Sequence, residues 1–215
     1  VTAKAVAGLT KNLMSSKKSV RVSAAFALGE IFSKASDKSY DLGSVTVEAV
    51  AGLTKNLVSS KESVRLSAAW ALGKFSGNPS GNFHDLSIVT AKAVAGLTKN
   101  LMSSKESIRL SAAWALGEFL GKASGIFHDL GNAVAEAVAG LTENLLSSKE
   151  SVRKSAAWAL GEFLGKASGN FHDLGDAVAE AVAAFTNALS SSNNDIVKES
   201  AAWALGEFLG KASGN

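Results

Sequence analysis

The sequence contains no cysteine, one proline, one tyrosine and three histidines among its 215 residues. The lack of cysteine excludes disulfides, thiol catalysis and zinc sites built on cysteine ligands. No apolar run approaches the roughly 18 residues that span a bilayer, and no basic start followed by an apolar stretch marks a signal peptide. We therefore expect a soluble protein without a membrane segment. No feature identifies a compartment, so the cytoplasm is only a default.

Charge bias and catalytic motifs are also sparse. The 22 basic and 19 acidic side chains give a formal net charge of +3, too small a bias to indicate nucleic acid as a partner. The sequence has no glycine-rich phosphate loop, and its histidines fall only in segments that we expect to be loops. We expect no enzymatic activity, no cofactor and no bound metal.

What the sequence does have is an internal repeat of 44 residues. The hexapeptide AVAGLT starts at Ala5, Ala49, Ala93 and Ala137, and SAAWALG recurs with the same period. Periods of about 20–50 residues are typical of solenoids. We predict one domain over residues 1–215, divided into five units: 1–44, 45–88, 89–132, 133–176 and 177–215. Both recent duplication and consensus-style engineering explain such similarity, and the sequence favours neither.

Each unit is predicted to form two helices joined by a short polar turn. In the fourth unit, helix A follows Asn132, and helix B covers SVRKSAAWALGEFLGKAS. Ser147 and Glu150 have the spacing of a capping box, and Glu150 with Arg153 predicts a local ion pair on helix B, as do the same residue types in other units. In the second unit, Gly77-Asn78-Pro79 predicts that helix B ends about one turn early.

A lone helical hairpin cannot bury its apolar side, so the units must stack on their neighbours. The predicted fold class is therefore an all-α, right-handed α-solenoid of five two-helix repeats. Abundant alanine, together with helix B glycines such as Gly117 and Gly121, is expected to let adjacent helices approach closely.

The segment LLSSKESVRKSAAWALGEFL resembles the HEAT-repeat pattern, in which a polar turn precedes a Val-Arg-x-x-Ala-x-x-x-Leu-Gly helix. The AAWALGEF core also resembles the last helix of armadillo repeats, where a Trp and an Asn four residues later line a concave groove that holds an extended peptide. The Trp is present in four units, but Lys or Glu replaces the Asn. The usual proline of the first HEAT helix and the aspartate of its turn are also missing. The resemblance implies a scaffold and specifies no activity.

One aromatic side chain per unit occupies the same position of helix B. We call this set the aromatic ladder: Phe26, Trp70, Trp114, Trp158 and Trp203. One helical turn later each unit carries a charged residue: Glu30, Lys74, Glu118, Glu162 and Glu207. The resemblance implies that the ladder faces solvent on the concave wall. An indole beside a carboxylate suits Lys or Arg, through cation–π attraction of about 0.5–2 kcal/mol.

We therefore predict that these ten residues bind a protein or an extended basic peptide. The alternative for the rings is that each Trp packs between adjacent B helices and fills the space left by Ala and Gly.

His-Asp dipeptides recur in the predicted loops at His84-Asp85, His128-Asp129 and His172-Asp173. Matching loops of stacked units stand about 10 Å apart, too far for one metal ion to join them. We expect these aspartates to cap turns, while neighbouring apolar residues such as Leu86 and Leu130 pin the loops to the core.

The two ends of the array differ in charge. Net charge falls from +4 in the first unit to −2 in the last, and neither unit has the polar outer face of a solenoid cap. This pattern predicts an alternative, structural function, in which molecules stack head to tail through heterologous contacts and form open chains rather than closed rings. The competing explanations are that the polar segment SSSNNDIVKES of the last unit is a partial cap, or that the chain belongs to a longer array.

Overall fold

The computed structural model describes residues 2–35, 43–75, 83–122, 130, 132–167, 171–191 and 195–212. These residues form ten α-helices and contain no β-strand. The helices are α1 (Thr2–Asn12), α2 (Lys18–Ala35), α3 (Gly43–Asn56), α4 (Glu62–Lys74), α5 (Phe83–Leu101), α6 (Glu106–Lys122), α7 (Asn132–Leu145), α8 (Glu150–Ala167), α9 (Phe171–Ser191) and α10 (Asp195–Ala212).

Consecutive helices pair as hairpins, α1 with α2 through α9 with α10. Each pair of helices that packs extensively belongs to one hairpin or to two neighbouring hairpins. The odd-numbered helices thus form one row, which we call row A, and the even-numbered helices form row B. This arrangement confirms the predicted α-solenoid. The division of the chain into units of 44 residues stays a prediction.

A single hydrophobic cluster runs through the stack from Val6 to Ala204. It is built from equivalent positions of successive hairpins. One such set in row B is fully buried: Leu28, Leu72, Leu116 and Leu160. Burying a leucine contributes about 1.5–3 kcal/mol, so each hairpin adds its own share to a continuous core.

Neighbouring row B helices meet backbone to backbone at glycine. A β-carbon added to Gly117 would lie 2.7 Å from the Cα of Ala159, and one added to Gly73 would lie 3.1 Å from the Cα of Ala115. In row A the matching contact involves a side chain, since a β-carbon on Gly52 would first meet Leu13 Cδ1 at 2.9 Å. The predicted close approach at Gly117 is confirmed. The helices of row B therefore meet through their backbones, whereas those of row A meet through a leucine side chain.

The predicted capping box is wrong. Ser147 Oγ accepts the backbone N–H of Lys149 at 3.2 Å, and three equivalent serines make the same bond: Ser15, Ser59 and Ser103. Helix α8 begins at Glu150, so the serine lies two residues before the N-cap position and closes the turn there. At the N-terminus of α4, the equivalent helix of the second hairpin, the N-cap residue Lys61 makes no side-chain capping bond.

The predicted local Glu–Arg pairs are replaced by other contacts. Glu150 pairs with Lys154 at 2.7 Å, while Arg153 Nη1 donates to the Ser147 carbonyl at 2.6 Å. Glu62 reaches across to the next hairpin, where Lys105 Nζ lies 2.6 Å from its Oε2. The cause is the burial of Arg153, which is 3% exposed and folds against the preceding turn, away from the carboxylate.

The early end of the second B helix is confirmed. Helix α4 ends at Lys74, whereas α6 runs to Lys122, four residues further in the 44-residue register. Phe75 is extended, with φ −69° and ψ 128°, as the break requires. Gly77-Asn78-Pro79 lies outside the described residues.

Two of the His-Asp dipeptides are in helices, contrary to the predicted loops. Helices α5 and α9 begin at Phe83 and Phe171, so each dipeptide falls in a first helical turn. The reason is that the apolar spacing of helix A continues back to the Phe. His128-Asp129 lies outside the described residues. Leu86 and Leu130 are buried, as expected.

Candidate binding surface

The aromatic ladder lies along row B, with one ring on each helix. Trp70, Trp114 and Trp158 are half-buried, whereas Phe26 and Trp203 at the two ends are 45% exposed. The structure describes four of the five charged positions beside them: Glu30, Lys74, Glu118 and Glu162. The side chain of Glu207 lies outside the described residues.

Each inner tryptophan rests one ring edge on a glycine of the preceding helix. A β-carbon on Gly73 would lie 2.8 Å from Trp114 Cζ3, and one on Gly117 would lie 2.9 Å from Trp158 Cζ3. The three inner tryptophans therefore pack between adjacent B helices, which is the alternative that the sequence left open. This packing also leaves part of each ring at the surface, which is the usual state of a packed tryptophan.

The gaps between successive rings are filled in different ways. Phe26 and Trp70 contact each other directly, with ring centroids 5.1 Å apart. Between Trp70 and Trp114 lies the ammonium group of Lys74, 5.9 Å from the first ring centroid and 5.1 Å from the second. Both distances are within the range of cation–π attraction. The chain thus places one of its own lysines between two rungs of the ladder.

Two ladder carboxylates already have lysine partners on their own helices. Glu118 Oε2 lies 2.6 Å from Lys122 Nζ, which also donates to the Gly73 carbonyl at 3.1 Å. Glu30 is 3.7 Å from Lys34, and both side chains are largely exposed. The exposed Glu30–Lys34 pair contributes about 0–1 kcal/mol, so an incoming cation can compete with it.

A cavity of about 360 Å³ opens between α8 and α10, beside the last two rings of the ladder. We call it the rung cavity, and its lining is Lys154, Ala157, Trp158, Glu199, Ser200 and Trp203. The hydrogen bond from Lys154 to Glu150 raises the pKa of Lys154, and the charge of Glu199 acts in the same direction. The cavity therefore combines two indole walls with one positive and one negative side chain.

Sequence reasoning found the two tryptophans of the rung cavity and missed Lys154 and Glu199. The sequence feature that could have indicated Lys154 and Glu199 is a change of residue type at one position of the repeat. The same helix B position is apolar in the first three units, as Val22, Leu66 and Leu110. A polar residue replaces the apolar one only in the last two units, on the two helices that border the cavity.

A buried asparagine ladder in row A was also missed. Asn56 Nδ2 donates to the Leu13 carbonyl at 3.1 Å, and Asn100 and Asn144 repeat this bond to Leu57 and Leu101 at 3.2 Å. Each bond joins the ends of two adjacent row A helices. The signal was an asparagine recurring every 44 residues near the end of helix A.

The turns between the two helices carry an exposed apolar stripe that sequence reasoning did not single out. It consists of Met14, Val58, Met102 and Leu146, which are between 54% and 71% exposed. Within the described part of the chain, no helix is long and apolar enough to cross a membrane. The same residues contain no group of three or more acidic or imidazole side chains placed to hold a metal ion.

A family model described as HEAT repeats matches residues 94–206, more than half of the chain, and a second one described as HEAT-like repeat matches residues 62–119. The chain belongs to the HEAT-repeat family. HEAT repeats stack into scaffolds, in which function depends on surface side chains more than on the fold. None of the curated proteins compared with this HEAT-repeat chain matches it significantly.

Solved structures similar to this HEAT-repeat chain include engineered proteins. One engineered protein is 28% identical with a TM-score of 0.64, over 95% of this chain and 47% of that one, so the chain spans about half of its length. A designed armadillo repeat protein in complex with peptide (KR)4 is 24% identical with a TM-score of 0.65, over 95% and 82% of the two chains. Another engineered protein is 22% identical with a TM-score of 0.53, over 96% and 97%. The last two likenesses show the fold alone.

Proposed function

We propose that this chain is a non-enzymatic scaffold that binds a protein, and specifically an extended basic segment, along the aromatic ladder of row B. The rung cavity between Trp158 and Trp203 is the main subsite. The observation that carries the proposal is Lys74, whose ammonium group lies between the rings of Trp70 and Trp114. It supports a cationic side chain as the ligand for a gap between two rungs.

The rung cavity also has two indole walls, and the lysine in its lining, Lys154, is paired with Glu150 at 2.7 Å. In the 44-residue register, the fourth unit has Glu162 where the second has Lys74. A lysine or arginine from a partner would therefore enter between Trp158 and Trp203 with Glu199 beside it, and each cation–π contact would contribute about 0.5–2 kcal/mol. The designed armadillo neighbour, which is in complex with a Lys-Arg peptide, supports this choice of ligand class.

The ladder also suggests how often basic residues recur in the partner. Packed helices lie about 8–10 Å apart, which sets the spacing of the rungs. A polyproline II segment repeats its side-chain direction every three residues, over about 9 Å. We therefore propose that Lys or Arg at every third residue of the partner fits successive rungs.

The experiment is fluorescence anisotropy with a labelled peptide of four Lys-Arg dipeptides. Trp203→Ala removes one wall of the cavity from a side chain that is 45% exposed, so the fold is retained. We expect Kd to rise about twofold to thirtyfold, the equivalent of about 0.5–2 kcal/mol. Glu199→Lys should weaken binding as well, because it puts a second positive charge beside Lys154.

The matched control is Met14→Ala, a large exposed side chain on the turn stripe, which should leave Kd unchanged. Equal binding of a Glu-Ser peptide of the same length would show that charge and indole contacts do not select the ligand. Unaltered affinity in both cavity variants would remove the cavity from the binding site.

A further inference from the structure

The exposed apolar stripe of the turns runs along hairpins that are covered on both sides. Val58 and Met102 belong to the second and third hairpins, each of which packs against a hairpin before it and one after it. Their side chains are still 68% and 54% exposed, and Leu146 in the fourth hairpin is 71% exposed. Single exposed apolar residues are ordinary, but a row of them with a polar rim is typical of an interaction site.

Buried hydrogen bonds at the junctions between hairpins hold this stripe in line. Asn100, two residues before Met102, donates to the carbonyl of Leu57, the residue before Val58, at 3.2 Å. The asparagines of the neighbouring junctions make the same bond, and all three are between 3% and 7% exposed. Successive stripe residues are therefore held at the step of packed helices, about 8–10 Å.

Lysines border the stripe on both sides. One lysine lies three residues before the stripe residue in the first three hairpins, and another lies three residues after it in each of the four turns. All of them are exposed: Lys11, Lys55, Lys99, Lys17, Lys61, Lys105 and Lys149. Ser59 Oγ accepts the backbone N–H of Lys61 at 3.2 Å, and the other three turns repeat this bond, so the lysine backbones are fixed as well.

The ion pair that one of these lysines makes is weak. Lys105 Nζ lies 2.6 Å from Glu62 Oε2, and the two side chains are 52% and 36% exposed. Pairs that are exposed to this extent contribute about 0–1 kcal/mol, so an acidic partner can compete for the lysine. The rim of the stripe therefore carries positive charge that is available to a ligand.

The apolar and the basic residues are lost together in the fifth hairpin. In the 44-residue register, Ser190 takes the place of Leu146. Asn187 stands where the first three hairpins have lysine, and Glu143 already replaces that lysine in the fourth. Because both features decline at the same end of the array, they indicate one contact that uses both.

The gap between two turns has room for an apolar side chain. A cavity of about 360 Å³ opens between the third and fourth turns, and two stripe residues, Met102 and Leu146, line it together with Leu101. Arg109 and Glu143 supply the polar part of its lining. The volume exceeds that of a leucine side chain, so a partner residue can enter between two stripe residues.

We infer that the stripe and its flanking lysines, which we call the turn edge, bind an acidic amphipathic helix of a partner protein. Seven residues of an α-helix rise about 10.5 Å, close to the step of about 8–10 Å between turns. An apolar residue at every seventh position of the partner meets successive gaps between turns, and acidic residues beside it meet the lysines. The turn edge contains no residue of the aromatic ladder, so this inference is independent of the proposed function.

The turn edge fits a helix better than it fits an anionic lipid surface. Protein surfaces that enter the membrane interface present a broad apolar face, often with aromatic residues. The stripe instead has one apolar side chain in each turn and no aromatic ring, and exposed serines such as Ser60 and Ser104 lie beside it. A narrow row with a fixed step matches a partner whose own side chains are periodic.

The test is fluorescence anisotropy with a labelled acidic peptide of about 21 residues, which has leucine at every seventh position and glutamate and alanine elsewhere. We expect saturable binding to the full chain, and we expect it to weaken as salt is added because exposed charges are screened. A peptide of the same composition with irregularly spaced leucines should bind about tenfold more weakly. Equal binding of the two peptides, or no binding of the first, would overturn the inference.

A double variant removes the apolar part of the contact. Val58→Ser/Met102→Ser changes two exposed side chains, so the fold is retained, and we expect Kd for the acidic peptide to rise about tenfold or more. The matched control is Ile88→Ser near the other end of α5, where the side chain is 42% exposed. This control should bind the acidic peptide like the unmodified chain.

A second double variant removes the charge. Lys61→Glu/Lys99→Glu reverses the lysine after Val58 and the lysine before Met102, and we expect a similar rise in Kd and a weaker dependence on salt. Lys92→Glu, at an exposed site in the middle of α5, is the control and should leave Kd unchanged. An unaltered Kd in both double variants would place the peptide elsewhere and refute the inference.

Phosphatidylserine vesicles are the competing probe. Cosedimentation of the chain with these vesicles that both double variants abolish, together with no binding of the acidic peptide, would assign the turn edge to a lipid surface and overturn the helix as its partner. The Lys-Arg peptide should bind all four variants with the same Kd as the unmodified chain, because the turn edge and the aromatic ladder are separate surfaces.

Discussion

The side chain of Lys74 illustrates how one residue changes a repeated surface. The equivalent residues of the other units are glutamates, and two of them pair with a lysine on the same helix: Glu30 with Lys34 at 3.7 Å and Glu118 with Lys122 at 2.6 Å. Lys74 instead directs its charge to two indole rings. The residue at this position therefore decides whether the chain places a cation of its own between two rungs.

We expect Lys74→Glu to reopen that gap. The loss of two cation–π contacts, each of about 0.5–1 kcal/mol at a partly exposed site, should lower the free energy of unfolding by about 1–2 kcal/mol, while the affinity for the Lys-Arg peptide should rise. Urea unfolding and peptide anisotropy on the same samples measure the two effects. Lys55→Glu, an equal charge reversal at an exposed site on row A, is the control. A variant that is less stable and binds no better would show that the gap does not admit a ligand side chain.

Much of the ladder was predictable at this scale. The ring positions follow from the period, and the Glu118–Lys122 and Glu30–Lys34 pairs could have been read from their spacing of four residues. The seating of each ring on a glycine of the preceding helix could not be predicted. It depends on the distance and the register between two helices, and a pattern within one repeat contains neither.

At the scale of helices, the sequence predicted element type well and helix ends poorly. The break after α4 follows from the local Gly-Asn-Pro chemistry. The start of α8 does not follow from the Ser-x-x-Glu spacing, because Glu150 and its equivalents bind lysine or serine partners, several of them on the next hairpin. The contacts that decide a helix end come from outside the helix.

Glycine in row B offers a matched pair of substitutions. Gly73→Ala puts a methyl group 3.1 Å from the Cα of Ala115 and 2.8 Å from Trp114, and we expect a loss of about 1–3 kcal/mol in unfolding free energy. Gly206→Ala meets nothing within 4 Å, so helix propensity should dominate and stabilise the protein by up to about 1 kcal/mol. Thermal unfolding of dilute samples compares them. Two variants of equal stability would contradict the backbone contact in row B.

At the scale of the whole molecule, stability depends on junctions that a pH change can weaken. Hydrogen bonds from Lys105 and Ser107 lower the pKa of Glu62 below its usual 4.5, and the hydrogen bond from Lys154 lowers the pKa of Glu150. A group whose pKa is lower in the folded state stabilises the fold above its unfolded pKa. That contribution is lost as the pH falls through the folded pKa.

We therefore expect the thermal midpoint of the unmodified protein to fall as the pH drops below about 4.5. Glu62→Gln should be less stable at neutral pH, and its midpoint should fall less steeply over the same range. Circular dichroism melts between pH 6 and pH 3 measure this, with Glu136→Gln on α7 as an exposed control. Parallel curves for Glu62→Gln and the unmodified chain would exclude this junction as a source of acid sensitivity.

The backbone contacts between row B helices have a consequence for the choice of partner. Where one backbone touches the next, no side chain can rearrange to shorten or lengthen the step between them. Row A, whose glycines face leucine side chains, retains that freedom. The spacing of the row B helices is therefore fixed by backbone contact, whereas the spacing of the row A helices can change when a leucine side chain changes its conformation. A partner that binds along row B must therefore have contact groups at this spacing, because the row B helices cannot move apart or together to fit it.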